Sequence, residues 1–138
     1  MKYDCLFIGN AIVDILTDVS FEYMHDQGIE PGSWRPVEKE EIEKLQSAIT
    51  NITVASGGSA ANSAVGLSFL GGSSAFIGRV KNDNLGLDYI KDMDDAGVKF
   101  SSNPSKSGLD TGRCLVYVTP DAQRLSLIHI SEPTRPLS

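Results

Sequence analysis

Two short stretches carry residue types that could do chemistry. One is Gly57-Gly58-Ser59-Ala60-Ala61-Asn62-Ser63-Ala64. It follows a β-branched run and opens a run of small residues, so it reads as a strand-to-helix junction. Two glycines there let a ligand approach the main chain, because no Cβ stands in the way. The first turn of the helix presents free N–H groups and the positive end of the helix dipole, which suit hydroxyl or phosphate oxygens. Asn62, about one turn in, both donates and accepts, as a hydroxyl ligand requires. No Gly-Lys-Ser/Thr is present, so this is no P-loop. A purely structural Gly-Gly turn remains the alternative.

The other stretch is Gly9-Asn10-Ala11-Ile12-Val13-Asp14. Asn10 closes an apolar run, where open α/β sheets bind ligands. Gly9-Asn10-Ala11 lacks the further glycines of a dinucleotide fingerprint. Asp14 lies in an otherwise apolar stretch, Ala11 to Leu16, where a carboxylate must be paired, hydrogen-bonded or at a surface. It suits a vicinal diol, whose two hydroxyls both donate; an outward-facing strand acid is the plainer reading. Asp110-Thr111-Gly112 has the triplet of an aspartic protease, but Arg113-Cys114-Leu115 follows it and the strand–helix rhythm is wrong for that class. His25 is isolated, and neither it nor His129 forms a metal-ligand cluster. Cys5 and Cys114 make no disulfide framework and read as reduced core thiols of a cytosolic protein.

The elements that must position these residues alternate. Of the 138 residues 41% are hydrophobic, enough for one core. The net charge of −6 argues against a nucleic-acid partner. No apolar run approaches the ~20 residues of a bilayer span, and the N-terminus does not read as a signal peptide. Strands are expected at Lys2–Gly9, Ala11–Val19, Ile52–Ala55, Ser74–Val80, Val98–Phe100 and Arg113–Thr119. A short strand from Trp34 should break at Pro36. Helices are expected from Phe21 to His25, Glu38 to Ala48, Ala60 to Leu70 and Leu85 to Ala96. The rhythm implies an α/β fold with a mostly parallel sheet. Beyond Arg124 the pattern fails: Pro133 and Pro136 arrive, and residues 125–138 resemble translated sequencing-adapter read-through. The native sequence is expected to end near Arg124, with 125–138 a non-native tail.

Taken in order, Gly-Asn-x-x-x-Asp, then Ser-Gly-Gly-Ser-x-x-Asn, then Leu-Gly-Gly and Phe-Ile-Gly resemble the PfkB (ribokinase-like) family of sugar and nucleoside kinases. The adenosine-kinase-like branch is the nearest in flavour. The resemblance runs from Tyr3 to Arg124, with Lys81 where the family commonly has glycine. It implies a ribokinase-like domain over residues 1–124, with a small β-lid at 11–19, 33–37 and 111–124. It implies that Asp14 accepts hydrogen bonds from substrate hydroxyls and that Asn10 and Asn62 assist. Gly57, Gly58 and Ser59 would form the floor, and Trp34 on the lid would stack on a nucleobase, cover a sugar face or pack within the lid. The family transfers phosphate from ATP, with Mg2+, to a primary hydroxyl. Its catalytic aspartate lies in Asp-Thr-x-Gly-Ala-Gly-Asp, and Asp110-Thr111-Gly112 is not that motif. The expectation is therefore a substrate-binding part of a cytoplasmic kinase, inactive alone, with no catalytic residue, metal or ATP site of its own. Its partner would be a small sugar or nucleoside; the family also allows a homodimer through the lid. The alternatives are a sugar- or nucleoside-binding module without catalysis, or an unstable fragment.

Overall fold

A computed structural model describes residues 2–30 and 32–129. In chain order these form β1 (Cys5–Ile8), β2 (Ile12–Asp18), α1 (Phe21–Asp26), β3 (Trp34–Pro36), α2 (Lys39–Ser47) and β4 (Thr53–Gly57). Next come α3 (Ser59–Phe69), β5 (Ser74–Ile77), α4 (Asn84–Asp95), β6 (Val98–Phe100), β7 (Gly112–Val118) and β8 (Arg124–His129). The chain divides into two units. One holds residues 2–13 and 56–112, the other 14–30, 32–55 and 113–129.

The first unit is a parallel three-stranded sheet in the order β1-β5-β6. Its register pairs Phe7 with Phe76 and Phe76 with Phe100, so these side chains share one face. Helices α3 and α4 lie on that face. The Ser74 Oγ donates to the Ala64 carbonyl of α3 at 2.8 Å. Phe76 packs against Tyr89 of α4 and Phe100, with ring centroids 6.2 and 5.8 Å apart. The small residues of α3 bring its axis close to the strands: Ala61 and Ala64 are fully buried. Asp83 caps α4 by accepting from the Gly86 N–H at 2.8 Å.

The second unit rests on a five-stranded sheet in the order β3-β8-β7-β2-β4. Along β2, Val13, Ile15 and Thr17 are buried while Ile12, Asp14 and Leu16 are half-exposed. The buried face of the sheet also carries Leu115, Tyr117, Leu125 and Leu127. It receives the short helices: Tyr23 of α1 lies 5.9 Å from Tyr117, and the Arg113 Nη1 donates to Gln46 of α2 at 2.9 Å. The opposite face carries Asp14, Cys114, Ser126 and Trp34.

The expected parallel sheet is that of the first unit, while the five-stranded sheet is mixed, because the tight turn after β7 returns β8 antiparallel while β3 joins β8 in parallel. Three expectations change. Pro36 does not break β3; on an edge strand its missing N–H costs no ladder bond. Residues 125–129, expected to lie outside the fold in a non-native tail, form most of β8. There they pair with both β3 and β7 and bury Leu125 and Leu127. The five-stranded sheet therefore runs past residue 124 and includes β4. The prolines that signalled a tail, and the rest of 130–138, lie outside the described residues. Cys5 is exposed rather than a core thiol, whereas Cys114 is buried.

Candidate functional site

In the first unit the two motifs meet. Gly58 is the N-cap residue of α3 with φ +100°, a conformation open to glycine and strained for other residues. A Cβ built on it would run into the Asn10 carbonyl oxygen. A Cβ on Gly9 would sit 2.6 Å from that of Ala60. The end of β1 and the start of α3 thus abut so closely that only glycines fit at both contact points. Tyr89 supports the turn from below, its hydroxyl donating to the Gly57 carbonyl at 2.8 Å. Sequence reading missed this prop; its only signal was Tyr89 on the apolar side of an amphipathic helix.

The start of α3 has no side-chain cap. Asn62 N–H makes the first intrahelical bond, to the Gly58 carbonyl at 2.9 Å. The main-chain N–H groups of Ser59, Ala60 and Ala61 precede that bond and point out of the helix end. Ser59 and Asn62 are exposed there. The Asn10 Oδ1 is buried with no hydrogen-bond partner among the described residues. An unpaired buried amide oxygen is costly, so a donor from outside the protein would stabilise it.

Asp14 and Trp34 belong to the second unit. Asp14 projects from β2 on the half-open face. Burial pushes its carboxyl above the ordinary value, and Arg124 partly offsets this. Cys114 shares that face. Burial raises its thiol further from ionisation, with a hydrogen bond from Ser126 opposing, Asp14 adding and Arg124 opposing. This fits a packing role and not a nucleophile. Trp34 is paired in register with Ser126 and is 68% exposed, so most of its ring is uncovered. The proximity of Arg124 and Cys114 to Asp14 was not legible in sequence, since it depends on the β7–β8 hairpin register.

The Asp110-Thr111-Gly112 triplet is tied into the first unit's framework. Lys81 Nζ lies 3.3 Å from Asp110, and the Lys81 N–H donates to Thr111 Oγ1 at 3.0 Å. Thr111 in turn donates to Asp83 through its hydroxyl at 2.7 Å and its N–H at 3.1 Å. Lys81 thus anchors the loop that precedes β7.

A parallel α/β sheet whose central helix starts bare at a Gly-Gly turn, and a one-sided β-sheet unit, define a ribokinase-like fold. Residues 34–133 match the model of the pfkB family carbohydrate kinases, and the chain belongs to that family. The adenosine kinase of Sinorhizobium meliloti superposes with a TM-score of 0.86 at 35% identity, over 99% of this chain and 42% of that one. A probable sugar kinase of Rhizobium etli CFN 42 gives 0.85 at 33% identity, over 95% and 40%. The probable fructokinase-7 of Arabidopsis thaliana is 46% identical over 54 residues, 36% of this chain and 16% of that protein. The chain thus spans less than half the length of these relatives. No helix among the described residues is long and apolar enough to cross a membrane.

Proposed function

We propose that this chain is the substrate-binding part of an ATP-dependent kinase that phosphorylates a primary hydroxyl of adenosine or of another nucleoside or sugar. The observation that carries the reading is the seating of Gly58 on the Asn10 carbonyl, beside an uncapped helix start and an unpaired Asn10 Oδ1. In this reading Asn10 and Asn62 bind substrate hydroxyls, and the Gly57-Gly58-Ser59 main chain is the floor on which they lie. Asp14 accepts hydrogen bonds from a vicinal hydroxyl pair, and the open ring of Trp34 offers a stacking face to a nucleobase. The adenosine kinase and fructokinase relatives support the two substrate classes, nucleoside and sugar.

The chain alone binds without turning substrate over. Its Asp-Thr-Gly is engaged with Lys81 and Asp83, and we assign it no catalytic role. ATP and Mg2+ serve the intact enzyme and not a site on this chain. A cytoplasmic location and a lid-mediated homodimer belong to the same reading. The test is calorimetry with adenosine, ribose and fructose, alongside an ATP-dependent phosphorylation assay. Saturable binding of one class with no turnover is expected. Enzyme-level turnover refutes the assignment of no catalytic role, and absence of binding to all three refutes the substrate site.

A further inference from the structure

We infer that α4 sets the orientation of the Gly57–Gly58 peptide, and that Tyr89 and Asp92 are positioning residues for the floor of the site without touching a ligand themselves. The orientation follows from the geometry of the chain alone; its effect on binding rests on the substrate reading above.

Helix α4 is anchored at both ends. At its start Asp83 caps it and also accepts from the Thr111 hydroxyl, and Gly86 lies so close to the Lys81 carbonyl that a Cβ there would collide with it. At its end the Ser68 hydroxyl of α3 donates to the Ala96 carbonyl at 2.7 Å. Between these anchors α4 presents Tyr89 and Asp92, three residues apart and so on one side of the helix. The Tyr89 ring is fully buried, its centroid 6.2 Å from that of Phe76 and 6.0 Å from that of Phe100. A phenylalanine would fill that niche as well; the hydroxyl adds the bond to the Gly57 carbonyl at 2.8 Å. One residue earlier in the turn, the Ser56 hydroxyl donates to the Asp92 carboxylate at 2.5 Å. Two consecutive residues of the turn are thus held from one helix.

The consequence lies in peptide geometry. A trans peptide is planar, and its C=O and N–H point in opposite directions. With the Gly57 carbonyl fixed toward Tyr89, the Gly58 N–H is aimed away from α4. The chain then enters α3 at the φ of +100° that seats Gly58 on the Asn10 carbonyl. A peptide between two glycines rotates readily, because no Cβ restricts it on either side. Tyr89 and Asp92 supply the restriction that the glycines lack.

The test compares the native chain with Tyr89→Phe, Ser56→Ala, Ser56→Thr and Ser74→Ala. Ser56 is half-buried, so changing it leaves the core intact if Tyr89→Phe does not fold. Ser74→Ala removes another buried hydroxyl bond of this unit, to the Ala64 carbonyl, and controls for loss of stability alone. The first readout is amide relaxation dispersion without ligand. Gly58 and Ser59 should show no millisecond exchange in the native chain, Ser56→Thr and Ser74→Ala, and should show it in Tyr89→Phe and Ser56→Ala. The second is calorimetry with adenosine, ribose and fructose. Tyr89→Phe should weaken binding at least about tenfold and Ser56→Ala at least about threefold, while Ser56→Thr should restore it and Ser74→Ala should leave it within about twofold. The proposal is overturned if Gly58 behaves alike in the native chain, Tyr89→Phe and Ser56→Ala, or if Ser74→Ala disturbs Gly58 as much as they do. A native chain that binds none of the three ligands contradicts the substrate reading, and the dispersion measurement then decides the role of α4 by itself.

Discussion

Substituting Gly58 by alanine probes the junction where the two motifs abut. Two costs add. At φ +100° a side chain is strained by on the order of 1–3 kcal/mol. The new Cβ must also displace the Asn10 carbonyl, a main-chain group that cannot swing aside, and overpacking of this kind costs about 1–3 kcal/mol more. Gly71 separates the two terms. Its φ is +92°, yet a Cβ there would meet nothing within 4 Å. Gly71→Ala should therefore cost the strain alone, about 1–2 kcal/mol. Urea unfolding, followed by amide exchange in the first unit, should show Gly58→Ala losing about twice as much stability as Gly71→Ala. Calorimetry should show nucleoside or sugar binding lost in the first variant and kept in the second. Equal losses of stability would refute the reasoning, because they would mean that β1 does not press on the start of α3.

Asp14→Asn should raise the urea midpoint near neutral pH. The folded state holds the Asp14 proton more tightly than the unfolded state, so the ionised carboxylate opposes folding above the ordinary value of 3.8, and the gain should vanish as pH falls below it. Tyr89→Phe removes the bond to the Gly57 carbonyl and should cost about 1 kcal/mol in the same unfolding experiment, leaving a buried acceptor unpaired. Leu127→Ala, at a fully buried position of β8, should cost about 2–5 kcal/mol, and ending the chain at Arg124 should abolish protection of the β7 amides. If the shortened chain keeps that protection, β8 is dispensable and the native fold ends where the sequence pattern does.

Most element positions were legible because the punctuation is local. Ser20 caps α1 and Asp83 caps α4, each accepting a main-chain N–H bond. The small-residue face of α3 follows from Ala61 and Ala64 alone. The Gly-Gly junction was legible as a place for a ligand, but not the contact of Gly58 with Asn10, which needs the closure of a long loop. The last strand was misread for a physical reason. Leu125, Leu127 and His129 alternate with Ser126 and Ile128 as a strand should, yet the prolines downstream outweighed that short run. The pairing of β8 between β3 and β7 was not legible, because a βα rhythm says nothing about a hairpin's return. Cys5 was placed in the core on residue type, whereas it sits on the edge strand of a sheet.

The account turns on whether Asp14 reads a vicinal diol. Titrating the chain with adenosine and with 2′,3′-dideoxyadenosine, before and after Asp14→Asn, measures that directly, with Trp34 as the chain's one tryptophan and a built-in fluorescence reporter. Two hydrogen bonds to a carboxylate predict that loss of the diol weakens binding at least about tenfold in the native chain and hardly at all in the variant. Equal discrimination by the native chain and the variant would contradict the account.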